Sequence, residues 1–285
     1  MRTLAAPLCD HSGRFSALKA ACLLFCLLPA ALVLQQALAG TLGPRPITEA
    51  IHQVGEWTVR LLLLTLAVTP FRVVLDWPRV LLLRRMLGVA TACYASLHLT
   101  LYAMDQQWKL GTVASEIVLR FYLTIGFVAL LGLLTLAITS TDGWQKRLRG
   151  RWKKLHRLVF PIAVLGLFHY FIQSKIDVTS PTFYAGLFFW LMLWRALPRR
   201  WQGRALALPG LAIAAGLATA AVEALWYGLA TKVPPLLVLA ANLGQLRPAW
   251  QVVLAGMALL LLVLARRGIA RWRGVPTRRV RAMAS

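Results

Sequence analysis

Acidic side chains are scarce: Asp and Glu together number nine in 285 residues, and all charged residues make up only 14%. Soluble domains carry about 25% charged residues, so a shortfall of this size excludes an ordinary water-soluble enzyme. Cysteine is scarce as well. The four, at positions 9, 22, 26 and 93, form no CxxC pair and no metal spacing, so neither a disulfide framework nor a cysteine metal module is implied. Cys22 and Cys26, one helical turn apart in an apolar run, read as packing residues. Also absent are GxGxxG, a Walker loop, GxSxG and HExxH, which leaves few places for chemistry. No repeat with a period of 20 to 50 residues is visible.

Apolar residues and positive charge are abundant. Hydrophobic residues reach 59%; with Gly counted and Tyr left out the apolar share is about 64%, against about 45–50% in soluble domains. Lys and Arg number 32, for a net charge of +23. A basic nucleic-acid binder spreads its charge over a soluble domain. Here the cations gather in short clusters between long uncharged runs, the pattern of a polytopic membrane protein whose partner is the lipid bilayer and not nucleic acid.

Eight stretches approach the ~20 residues that a helix needs to cross a bilayer. They are 17–39, 57–75, 86–104, 118–139, 155–173, 179–197, 205–230 and 248–265. Arg60 and Arg72 interrupt the second, where both can snorkel, and Pro70 can bend its end. The first stretch ends in Ala37-Leu38-Ala39, like a signal-peptidase site, but its apolar run is longer than a signal h-region and reads as a retained helix. With the N-terminus assigned to the cytoplasm, 25 of the 32 cations fall on the inner side and the alternation never breaks, so both termini are expected there. The apolar segment 236–241 after Pro234 and Pro235 is too short to span and reads as interfacial or re-entrant. Glu223, beside Trp226 and Tyr227, reads as an interfacial anchor.

Histidine carries the chemical signal. Of five, His98, His156 and His169 fall in or at the end of membrane helices, where ionisable groups are costly and point to function. At 1.5 Å per residue, His98 and His169 lie about 18 and 21 Å from the inner face, at nearly equal depth. Their helices run in the same direction within one bundle. Opposed imidazoles there suit the two axial positions of haem b, whereas zinc closure would want further His, Cys or carboxylate ligands. His156 lies 13 residues before His169, about 20 Å nearer the cytoplasm, and the matching depth on the other helix holds Arg85. Two roles stay open for it: ligand to a second haem with an unconventional partner, or contact to a haem propionate or lipid headgroup. Arg84 and Arg85, with Arg157, are the cations expected to neutralise propionates or a flavin phosphate nearby.

Several runs also carry a resemblance: Gly55-Glu56-Trp57 with Arg60 to Leu66, Leu83-Arg84-Arg85-Met86-Leu87-Gly88, Tyr94 to His98, Thr139-Ser140-Thr141, Trp152 to Phe160 and His169-Tyr170. Over residues 40 to 200 the chain resembles the MsrQ family, haem-binding membrane subunits of the bacterial periplasmic methionine sulfoxide reductase system, related to ferric reductase and NADPH oxidase transmembrane domains. The resemblance implies an inner-membrane electron conduit, from the quinone pool through haem b to a periplasmic molybdopterin subunit. FMN enters through the resemblance alone, since no flavin motif is visible.

The expected fold is thus an all-α polytopic helical bundle of about eight transmembrane helices. Its organisation is a cytoplasmic arm (1–16), a six-helix ferric reductase-like core (17–200), a two-helix extension (201–265) and a basic cytoplasmic tail (266–285). One or two haems are expected, at His98, His169 and His156. Two other classes remain: a ferric reductase or NADPH-oxidase-type protein with another acceptor, and a non-redox transporter whose histidines serve substrate or protons.

Overall fold

The computed structural model of the chain describes residues 14–273. Most of the expected N-terminal arm and the end of the expected basic tail therefore lie outside the described residues. Every element among those described is helical: α1 (Ala17–Leu38), α2 (Pro46–Val74), a 3-10 segment (Pro78–Leu83), α3 (Arg84–Asp105), α4 (Leu110–Leu119), α5 (Phe121–Ile138), α6 (Asp142–Leu148), α7 (Gly150–His156), α8 (Val159–Ser174), α9 (Thr179–Ala196), α10 (Arg199–Gln202), α11 (Ala207–Ala230), α12 (Pro235–Ala241) and α13 (Pro248–Trp272).

Among the described residues, seven helical segments are long and apolar enough to cross a membrane. The eight expected spans all form helices. The stretch 179–197 becomes the 18-residue α9 and falls outside that set because Thr179, Ser180, Pro181 and Arg195 lower its hydropathy. Leucines such as Leu24, Leu28, Leu131, Leu217 and Leu261 stay exposed, as expected for a surface solvated by lipid.

The chain divides into two compact units, one of residues up to Thr65 with Leu82–Gln173, the other of Leu66–Leu81 with the residues from Ser174 onward. In the first, Pro29 interrupts α1 and a tyrosine repairs the break. The Tyr94 hydroxyl donates to the Cys26 carbonyl at 2.7 Å and accepts from the Ala30 amide at 2.9 Å, standing in for the helix's own bond at that turn. Cys22 and Cys26 are buried and unbridged. Arg60 ion-pairs with Glu56 at 2.6 Å and lies over the Trp57 ring at 4.6 Å, so it is neutralised locally within α2. Thr65, Thr91, Ser96, Thr135 and Thr139 each return a hydroxyl to the carbonyl four residues back, which satisfies these five hydroxyls within their own helices.

The second unit is a close-packed set of α9, α11 and α13. A Cβ on Gly186 would collide with Thr219 and Val252, and one on Gly256 would lie 2.6 Å from the Ala212 Cβ. Such small-residue contacts let membrane helices approach closely. Glu223 differs from the interfacial anchor expected of it: it is 1% exposed and pairs with Arg247 through bonds of 2.8 and 3.3 Å. That bond raises the Arg247 guanidinium above its ordinary value. The apolar segment after Pro234 forms the seven-residue α12, with Leu236 and Leu237 exposed.

Candidate cofactor site

The site residues lie in the first unit, on four helices that the chain connects in pairs. In one pair, α2 leads through the 3-10 segment into α3, which carries His98; in the other, α5 leads through α6 and α7 into α8, which carries His169. The two imidazoles meet with ring centroids 6.3 Å apart and planes at 89°.

Each ring is held from behind in the same manner. His98 Nδ1 lies 2.9 Å from the carbonyl oxygen of Ile51, and His169 Nδ1 lies 2.7 Å from that of Tyr122. A carbonyl only accepts, so both Nδ1 atoms carry the proton and donate it, leaving the Nε2 lone pairs for a ligand. The acceptor precedes the histidine by 47 residues in both pairs. Four residues beyond each acceptor stands a glycine, Gly55 or Gly126. A Cβ on Gly55 would sit 2.9 Å from His98 Cε1 and Nδ1, and one on Gly126 would sit 2.8 Å from the same atoms of His169. Glycine is therefore required for each ring to lie against the neighbouring helix.

This arrangement fits an iron held axially between two imidazoles. The 6.3 Å between centroids leaves room for one metal ion, since imidazole–metal bonds run about 2.0–2.1 Å and ring nitrogens lie about 1.1 Å from their centroids. No cluster of three or more His, Cys, Asp or Glu occurs among the described residues. Two opposed neutral imidazoles suit a planar cofactor that supplies its own equatorial ligands.

His156 stands apart from this pair. At the end of α7 its ring stacks on Trp152, with centroids 3.9 Å apart; Nδ1 meets the Trp152 carbonyl at 3.2 Å, and Nε2 meets the Ser140 hydroxyl at 3.3 Å. Both of its nitrogens are thus engaged. Arg84 and Arg85 open α3. Arg85 pairs with Asp142 at 2.6 Å, and Arg84 lies within electrostatic reach of His156.

Sequence reasoning overlooked Gly126, and took Gly55 only as a piece of a motif. The signal that exposes both is an internal repeat with a period longer than 50 residues. Leu63-Leu64-Thr65-Leu66-Ala67-Val68-Thr69 recurs as Leu133-Leu134-Thr135-Leu136-Ala137-Ile138-Thr139, and the acceptor, glycine and histidine recur in the same order.

Residues 54–167 match the family described as ferric reductase like transmembrane component. Among similar proteins, the "Protein-methionine-sulfoxide reductase heme-binding subunit MsrQ" of Xanthomonas campestris pv. campestris (strain B100) is 44% identical over 159 residues, 55% of this chain and 73% of its own. The protein of that name from Rhodospirillum rubrum is 42% identical over 201 residues, 69% of this chain and 94% of its own. That from Caulobacter vibrioides is 39% identical over 183 residues, 64% of this chain and 85% of its own. No solved structure matches the chain.

Proposed function

The chain belongs to the MsrQ family of protein-methionine-sulfoxide reductase heme-binding subunits, and from that premise we propose that it is a membrane b-type cytochrome. It passes electrons from the quinone pool to a periplasmic molybdopterin subunit that reduces methionine sulfoxide in oxidised proteins. The observation that carries this reading is the His98–His169 pair, 6.3 Å between centroids with each Nδ1 committed to a carbonyl.

Haem b supplies one-electron chemistry when bound. The chain's own residues do the rest. His98 and His169 would hold the haem iron through Nε2, since each Nδ1 is committed to a carbonyl. The Ile51 and Tyr122 carbonyls keep both rings in one tautomer and raise their basicity as ligands. Gly55 and Gly126 leave room for the rings. His156, Arg84 and Arg85 form the inner part of the path. His156 is a second ligand position or a propionate contact, and Arg84 is the cation nearest to it in charge effect. FMN has no assigned residues in this proposal. The cofactor-bearing core is read as residues 17–200 and the two-helix extension as 201–265. The protein is read as spanning the bacterial inner membrane with both termini in the cytoplasm.

The test is quinol-driven reduction of the purified protein, with the reduced-minus-oxidised visible spectrum recorded and haem counted per chain. A Soret band that shifts on quinol addition is expected. Absence of any haem absorbance would favour a non-redox transporter, and haem that quinol leaves oxidised would remove the quinone pool as donor. In the same assay His156→Ala is expected to slow reduction while the outer haem stays bound; equal rates would take His156 off the path.

Sidedness has its own check. A reporter fused after Arg151 is expected to read cytoplasm and one after Asp177 periplasm. The opposite pair of readings would turn the protein over and remove a periplasmic acceptor.

A further inference from the structure

The two ligand anchors resemble each other but are not equally secure. Ile51 is the sixth residue of the 29-residue α2, within a continuous helix. Tyr122 is only the second residue of α5, whose N-cap Arg120 is extended and makes no side-chain capping bond. First turns fray, because their amides lack helical partners. The carbonyl that orients His169 therefore sits where a helix is least able to hold it.

A polar network joins the elements at that turn. The Arg120 guanidinium donates to Glu116 Oε1 at 2.7 Å and to the Tyr122 hydroxyl at 3.2 Å. The other Glu116 oxygen accepts from the Tyr102 hydroxyl. Tyr102 lies four residues after His98 on α3, one turn along the same helical face. Thr124 of α5 adds a bond to the Ile117 carbonyl of α4 at 2.6 Å. The helix of His98 is thereby connected, through Tyr102, Glu116 and Arg120, to the turn that anchors His169. Glu116 is the hub, since both Arg120 and Tyr102 donate to it. It is one of only nine acids in the chain, and its carboxylate lies mostly covered, at 21% exposure.

We propose that Glu116 is a positioning residue for the His169 imidazole: by holding Arg120 and Tyr102 together it fixes the first turn of α5, and with it the Tyr122 carbonyl that sets the ring's plane and tautomer. The inference rests on the reading of His98 and His169 as axial ligands. It adds that their mutual orientation is set by a network touching neither ring.

The test uses the full chain with Glu116→Gln and Tyr102→Phe beside the parent, and two measurements. Amide hydrogen exchange reports the first turn of α5 whether or not haem is bound. Hydrogen bonds to charged groups are among the stronger ones, so Glu116→Gln is expected to speed exchange there about tenfold, with the start of α2 unchanged. Tyr102→Phe, which removes one hydroxyl, is expected to act at the same turn more weakly. In the haem-loaded protein, the low-spin ferric electron paramagnetic resonance signal reports the relative orientation of the two imidazole planes. Both variants are expected to keep their haem and to shift that signal and the midpoint potential in the same direction.

Unchanged exchange at 121–126, or an unchanged signal and potential in haem-loaded Glu116→Gln, overturns the proposal. So does loosening spread evenly over the first unit, which would make Glu116 a general stabiliser. Haem loss from Glu116→Gln supports it only when exchange rises at the α5 turn alone. A parent protein without haem would sink the cytochrome reading, while the exchange measurement would still decide the bracing role of Glu116.

Discussion

His98→Ala and His169→Ala are each expected to abolish one and the same haem spectrum, along with electron delivery to the acceptor. The two ring centroids lie 6.3 Å apart and their Nδ1 atoms are both spent on carbonyls, so each ring has one Nε2 to offer to a shared iron. Removing either leaves the other without its partner, and His156 is engaged elsewhere, with Trp152 and Ser140. Losing the hydrogen-bond partner behind a metal ligand already costs roughly 10–100-fold in affinity, and losing the ligand itself costs more. The check is the pyridine haemochrome content and visible spectrum of each variant after identical purification. His156→Ala serves as the control that retains this component. Full haem content with an unaltered spectrum in both single variants would show that the pair is not the ligand set.

How much of this was readable beforehand depended on the range over which each interaction acts. Apolar run length is local, and it located α1, α3, α5, α8, α11 and α13 within a few residues. The depth of a residue along a straight helix is also local arithmetic, which is why His98 and His169 could be matched before any fold was known. Partners separated by tens of residues were another matter. Nothing near His98 in sequence names Ile51 or Gly55 as the groups behind its ring. The repeat that names them has a period longer than 50 residues.

Ionic partners were hidden for the same reason. Arg85 reads as a counterion for propionates or a flavin phosphate until Asp142 is found 2.6 Å away, and Glu223 reads as an interfacial anchor until Arg247 closes on it across 24 residues. Helix α9 is a third instance. Its sequence looks like the last span of the residue 17–200 core, yet its buried face, Thr182, Gly186 and Trp190, belongs with the small residues of α11 and α13. Which helix set a span joins is decided by shape complementarity, and hydropathy does not record shape.

The glycines provide a prediction whose sign is unusual. In the middle of a helix, Gly→Ala ordinarily stabilises by about 0.5–1 kcal/mol, because alanine has less backbone entropy to lose. Gly166, on the same helix as His169, has nothing within 4 Å of its would-be Cβ, so Gly166→Ala is expected to raise Tm slightly and leave haem content unchanged. Gly126→Ala is expected to do the reverse. Its new methyl would lie 2.8 Å from His169 Cε1 and Nδ1 and 3.1 Å from Cγ. Ordinary carbon contacts begin near 3.5 Å, so the ring must retreat by roughly half an ångström or more. A displacement of that size is enough to spoil a ligand constellation, and moving Nδ1 also lengthens its bond to the Tyr122 carbonyl. Haem retention is therefore expected to fall by about tenfold or more, within the range seen when support behind a metal ligand is lost. Gly55→Ala is expected to act in the same direction but less strongly, since its methyl approaches two His98 ring atoms at 2.9 Å and leaves Cγ at 3.9 Å. The measurements are haem per chain and Tm for Gly55→Ala, Gly126→Ala and Gly166→Ala, each with and without added haem. If Gly126→Ala binds haem like Gly166→Ala and gains the same stability, the rings do not rest against these helices, and the axial geometry assigned to His169 is wrong.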